Sequence, residues 1–252
     1  MIRFEGLRKT YDTLTAVDGL DFTVDAGCVF GFLGRNGAGK TTTIRMMMGL
    51  LEPSAGTVRL AGHDIRTAPE AAKAVAGYLP DRPYLYEKLT GIELLHFVGG
   101  LHGLGRDAAD GRGRELLGVF RLEGRSGDLI ETYSHGMKQR LALAAALMHQ
   151  PRILILDEPM VGLDPEGAVE LRQLLKRLAG DGVTIFLSTH SLPVAEELCH
   201  RIAIIDRGRL VALGTLAELR ARAANGERVA GGDGQAPSLE RVFLDILEAD
   251  AA

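Results

Sequence analysis

An α/β fold with a mainly parallel sheet is predicted by three features of the sequence. The first is a set of short, almost continuous apolar runs: VFGFL (29–33), VAGYLP (75–80), ILILDE (153–158), VTIFLSTH (183–190) and IAIID (202–206). Strands with one wet face alternate apolar and polar residues; these do not, so both faces of their sheet are covered. The second is helical spacing between the runs. Ile44, Met47, Met48 and Leu51 recur at i, i+3, i+4 and i+7, and Leu171, Leu174, Leu175 and Leu178 mark another buried helix face. Strands alternating with helices give parallel pairing. The third is the glycine-rich stretch GRNGAGKT (34–41), placed where a strand ends and a helix opens.

The elements follow in order. Up to about Val29 the chain mixes strand-like pieces, MIRFEGL and TAVDGLDFTV, with Gly19 and Gly27 as punctuation. The helix after the glycine-rich stretch is expected to run to Pro53, which stops it. GTVRLAG (56–62) reads as a strand, and Pro80 closes the strand VAGYLP. Residues 83–150 read as a helical insert, broken at Gly99–Gly105 and again at GRGR (111–114). Beyond the strands of 151–224, Arg207-Gly208 has the composition of a hairpin turn before RLVAL (209–213). Residues 225–238 have linker composition. Leu239, Val242, Phe243, Ile246 and Leu247 then repeat at helical spacing, so that a last helix docks on the body or on a partner. The chain thus divides into core (1–82), helical insert (83–150), core again (151–224), and linker with C-terminal helix (225–252).

The chain of 252 residues can bury a sizeable core, and its net charge of −4 argues against a nucleic-acid partner, because phosphate backbones select basic faces. Cys28 and Cys199 are expected to be buried free thiols, as in a reducing cytosol. The N-terminus has no apolar signal core, and no run approaches the ~18 apolar residues that a membrane span needs.

GRNGAGKT satisfies G-x-x-x-x-G-K-[ST], a phosphate-binding loop. Gly34, Gly37 and Gly39 let backbone N–H groups of Arg35, Asn36, Ala38 and their neighbours converge on phosphate oxygens, helped by the dipole at the helix start. Lys40 supplies a charge for the β- and γ-phosphates of a nucleotide, and the Thr41 hydroxyl can ligate Mg²⁺. Asp157 and Glu158 end an apolar strand at the sheet edge where ligands bind. Asp157 is placed to hold the magnesium and Glu158 to act as general base for an attacking water. His190 ends a second strand and is a candidate γ-phosphate contact. Ser134-His135 looks at first like a nucleophile with its base, but no acid partner stands nearby and the G-x-S-x-G elbow is missing.

The ordered set GRNGAGKT, YLPD, YSHGMKQR, ILILDE, GLDP and STH resembles the nucleotide-binding subunits of ABC transporters, over about residues 2–220. The resemblance implies a P-loop NTPase core with a mainly parallel sheet, an N-terminal antiparallel β part and an inserted α-helical subdomain. It implies that Tyr11 stacks on adenine and that Lys40, Thr41 and Thr42 contact phosphate and metal. Asp157, Glu158 and His190 take the roles of metal carboxylate, base and switch histidine, and Asp164 lies on a loop that spans a dimer. Ser134 and Gly136 belong to a signature turn that caps a γ-phosphate held by a second chain. Asp81 stands where the family most often has Gln, beside metal and attacking water. Cys28 and Met160-Val161 depart from the usual residues at their positions.

Within the family, YSHGMKQR, YLP, GLDP and LERVFLDI look like ATPase subunits paired with a separate integral-membrane permease, mostly in exporters. The partners implied are that permease and a second ATP-binding subunit, most simply an identical copy, on the cytoplasmic face of the membrane. Part of the stretch 82–104 is expected to receive a cytoplasmic helix of the permease. The alternative is a soluble ABC ATPase acting on DNA or ribosomes. Those relatives carry long coiled-coil insertions or tandem nucleotide domains, neither of which stands here. A P-loop kinase or GTPase would not need YSHGMKQR.

Overall fold

The computed structural model describes residues 1–224 and 238–250. An antiparallel sheet opens the chain: β1 (Ile2–Tyr11), β2 (Leu14–Val24), then, after β3 (Val29–Leu33) and α1 (Lys40–Met47), β4 (Ala55–Leu60) and β5 (His63–Asp64), in the order β2-β1-β4-β5. After α2 (Pro69–Ala74) and β6 (Ala76–Leu79) come three helices, α3 (Gly91–Leu101), α4 (Arg106–Val119) and α5 (His135–Ala146). The chain returns through β7 (Ile153–Asp157), α6 (Pro165–Gly180), β8 (Thr184–Thr189), α7 (Leu192–Leu198), β9 (Arg201–Asp206) and β10 (Arg209–Gly214). It closes with α8 (Leu216–Ala224) and α9 (Leu239–Asp250). The second sheet has the order β10-β9-β3-β8-β7-β6, parallel except for the β9–β10 hairpin. Arg207 and Gly208 turn that hairpin at φ 45° and 79°, the left-handed pair that matches strand twist.

The continuous apolar runs are explained by cores on both faces of the parallel sheet. Along β7, Ile153 and Ile155 point into a core shared with the antiparallel sheet, while Leu154 and Leu156 point into one shared with the helical segment. Phenylalanines hold the two sheets together: Phe22 stacks on Phe30 at 5.6 Å, and Phe4 lies 6.0 Å from Phe186. Leu239, Val242, Phe243, Ile246 and Leu247 are buried with Leu33, Ile204 and Leu219, so α9 docks on the body of the chain. Residues 225–237, most of the expected linker, lie outside the described residues.

Three expectations are corrected. The helix after the phosphate loop stops at Met47, not at Pro53, because Gly49 takes φ 61°; Leu51 therefore lies outside it. GRGR (111–114) is no break but the middle of α4, where a Cβ on Gly113 would meet Ile92 at 3.1 Å and Leu95 at 3.4 Å. The glycine there serves the close approach of α3 to α4. Cys28 and Cys199 are free thiols, but only part-buried.

His149 sits behind α5 with its ring stacked on His102 at 3.7 Å and its Nε2 bonded to the Ala76 carbonyl at 3.1 Å. Burial, with the neighbouring His102, pushes its pKa down to about 4 from 6.5. The unfolded chain takes up this proton near 6.5 while the fold refuses it, so stability present above that pH is lost as pH falls toward 4. The His149→Phe variant should show a drop in melting temperature between pH 7.5 and 5 that is smaller than wild type's by about 2–4 °C. Scanning calorimetry at the two pH values checks this.

Candidate nucleotide site

The site is assembled where β3, β7 and β8 end on the same edge of the parallel sheet. β3 runs into the glycine-rich loop, and α1 begins at Lys40 with Gly39 before it at φ 105°. A Cβ on Gly39 would lie 2.5 Å from the Ala16 carbonyl oxygen, and one on Gly34 2.6 Å from that of Ile205, so only glycine fits either position. Lys40 is buried, and its Nζ donates to the carbonyls of Gly34 at 2.7 Å and Arg35 at 3.2 Å. Burial lowers its pKa, while the carboxylates of Glu158 and Asp157 act in the opposite sense.

Asp157 is 2% exposed, and its Oδ2 accepts the Thr41 hydroxyl at 3.1 Å. Burial raises its pKa. Glu158 follows at φ 51°, a left-handed conformation rare for a residue with a side chain and more so before proline. Its carboxylate accepts three bonds: from Thr189 Oγ1 at 3.0 Å, His190 N–H at 2.9 Å and His190 Nδ1 at 2.7 Å. The acid is thereby aimed from the end of β8.

A cavity of about 570 Å³ runs over these groups, lined by Tyr11, Asn36, Gly37, Gly39, Lys40, Thr41, Thr42, Asp81, Asp157, Glu158 and His190, with Leu14, Ala16 and Val161. Tyr11 is 44% exposed, so an aromatic face is available to a ligand. Of the other sequence candidates, Gly34, Arg35 and Ala38 shape the loop without lining the cavity; Ala38 belongs to the core beneath. Asp164 caps α6, its Oδ1 accepting from Gly167 N–H at 3.1 Å.

Ser134 and Gly136 do not line the cavity either. Ser134 caps α5, its Oγ accepting from Met137 N–H at 3.3 Å, which leaves the hydroxyl proton free to donate. His135 is no base for it: a Cβ on Gly162 would meet the His135 ring at 2.0 Å, so that ring packs against the loop after β7. Sequence reasoning missed Thr189, whose hydroxyl orients Glu158, although its place beside His190 at a strand end was a readable signal. It also gave no role to Gln139, although that residue stands inside YSHGMKQR.

The family model described as ABC transporter matches residues 17–161. The chain belongs to the ABC transporter family. It is an ATP-binding subunit of that family and an ATPase. A solved ATP-binding subunit of an ABC transporter superposes with a TM-score of 0.88 at 32% identity, covering 98% of this chain and 99% of that one. The linearmycin resistance ATP-binding protein of Bacillus subtilis is 40% identical over 88% of this ABC chain and 71% of its own length. A daunorubicin resistance ATP-binding protein of Streptomyces coeruleorubidus is 42% identical over 90% and 72%. Among the described residues no helix of the ABC subunit is long and apolar enough to cross a membrane.

Proposed function

We propose that this subunit powers export through a separate membrane permease, and that it hydrolyses ATP only as a head-to-tail dimer with a second, identical copy. One observation carries the dimer: Lys40, Thr41, Asp157, Glu158 and His190 share one cavity, while the Ser134–Gly136 turn stands outside it. The turn has a free hydroxyl donor and opens a helix of twelve residues, His135–Ala146, whose positive end suits an anion. It meets a γ-phosphate when that phosphate is held by the other chain's Lys40.

In the reaction, water attacks the γ-phosphorus. Its oxygen forms the new P–O bond, its proton passes to the Glu158 carboxylate, and the β–γ bridging bond breaks with its electron pair leaving on ADP. Lys40 and the backbone N–H groups of the loop hold the transferring oxygens, and Tyr11 stacks on the adenine. The hydroxyl of Thr41 and the buried carboxylate of Asp157 converge as hard oxygen donors, with Asp81 on the same cavity. That donor set fits Mg²⁺, which takes few protein ligands and would neutralise charge on the phosphates. Asp164 and the neighbouring loop lie on the dimer face in this reading.

Export is favoured by the relatives, which include linearmycin and daunorubicin resistance ATP-binding proteins and a Nod factor export ATP-binding protein of Paraburkholderia xenovorans. A groove of about 580 Å³ beside Asp81, lined by Pro83, Tyr84, Tyr86, Phe97 and Leu101, fits a cytoplasmic helix of the permease. Tyr84 is 97% exposed there. Glu87 and Lys88 are spent on Lys138 and Glu131 of the same chain, so the tyrosines carry that contact.

Sedimentation of the Glu158→Gln chain tests the dimer. With ATP and magnesium its mass should double, and a further Ser134→Arg change should return it to monomer. A dimer that forms equally well with Arg at position 134 would remove the signature turn from the site.

A further inference from the structure

Gln139 is 1% exposed, in a helix whose other buried residues are Leu141, Ala142, Leu143, Ala144 and Ala146. Its Nε2 donates to the Pro159 carbonyl at 3.3 Å, and its Oε1 has no hydrogen-bond partner. The orientation of the amide is settled by chemistry: Pro159 offers an acceptor and no N–H, so the nitrogen must face it. A buried amide left half-satisfied is costly, and packing alone would be better served by Leu or Met.

What the bond holds is the Pro159–Met160 peptide, one residue beyond the strained backbone of Glu158. Glu158 stands at φ 51° immediately before Pro159. Such a conformation persists only when its surroundings over-determine it. Glu158 N–H donates to the Ser188 carbonyl at 2.9 Å, and Val161 N–H donates to the Glu158 carbonyl at 3.1 Å. The first of these bonds comes from β8 and the second from the turn itself. Gln139 supplies the anchor from α5, the helix that Ser134 caps. Its first turn packs on the same loop, with His135 over Gly162.

We infer that Gln139 is a positioning residue for Glu158 and ties the Ser134–Gly136 turn to the base of its own chain. This rests on the dimeric reading above. In that dimer the turn meets the partner chain's nucleotide, whereas Glu158 serves the nucleotide of its own chain. A phosphate seated on the turn is thus linked to the other site through one helix and one hydrogen bond, which couples the two sites.

The test uses dimers of the full chain with two different affinity tags, in which one copy carries Glu158→Gln and has a silent site. Gln139→Leu in the copy with intact Glu158 should lower the residual kcat by about 10- to 100-fold with the KM for ATP within about twofold. In the copy already carrying Glu158→Gln it should lower the residual turnover no further. Gln139→Met, of similar length and also without a donor, should give the same pattern, which guards against a folding defect peculiar to Leu. Equal loss in both placements, loss confined to the silent copy, or no loss overturns the inference. Wild-type turnover by dimers with Glu158→Gln in both copies would instead remove the base assignment itself, whatever Gln139 does.

Discussion

Glu158→Gln should reduce ATP turnover by a factor of about 10²–10⁴, the usual worth of a positioned general base, while ATP still binds. The amide keeps the length of the side chain. Its oxygen can still accept from Thr189 Oγ1 or from His190, which hold the carboxylate at 2.7–3.0 Å in the wild type. What it cannot do is take the proton of the attacking water. Phosphate release gives the rate, and titration with a fluorescent ATP analogue gives the affinity, which should stay within about threefold. A variant that turned over at the wild-type rate would show that the proton goes elsewhere. His190 would then be the next group to change, because it shares the bond to Glu158.

Lys40→Met should act on binding rather than on the proton. The thioether fills the space of the lysine stem but carries no charge. Losing a charge-assisted contact to phosphate costs about 2–3 kcal/mol, or about 30- to 150-fold in ATP affinity. Stability should not fall with it. Burial outweighs the opposing pull of Glu158 and Asp157 and lowers the Lys40 pKa, so on balance the ammonium charge does not stabilise the fold. Calorimetric titration with ATP and a thermal melt without nucleotide separate the two effects. A weakened affinity accompanied by an equally large loss of melting temperature would mean that Lys40 supports the loop more than it binds phosphate.

The parts of the site readable from the sequence are those set by local spacing. A glycine-rich loop between strand and helix needs only a few consecutive residues to be recognised, and Gly34, Gly39, Lys40 and Thr41 fall where that spacing puts them. Asp157, Glu158 and His190 are legible for a related reason. Each ends an apolar strand, and parallel strands of one sheet bring such ends to one edge. Helix limits were less legible, because composition does not report packing. GRGR resembles a break until α3 is seen pressing on Gly113, and Pro53 resembles a stop until Gly49 is found to have ended the helix already. The Ser134-His135 pair shows the opposite failure. Adjacent residues suggested a dyad, whereas the structure gives Ser134 to a helix cap and turns His135 onto Gly162.

The sequence by itself determined the fold class and the family, since both show as patterns along the chain: continuous apolar runs for the one and an ordered set of motifs for the other. Only the tertiary structure decided how the Glu158 carboxylate is held. Glu158 is strained in its own backbone, oriented by Thr189 and His190 from a neighbouring strand, and backed by Gln139 from a helix 20 residues earlier in the chain. These contacts join segments far apart in sequence, and their geometry comes from the packing of α5 and β8 around β7. No periodicity or motif records such packing, because it is a property of the assembled core.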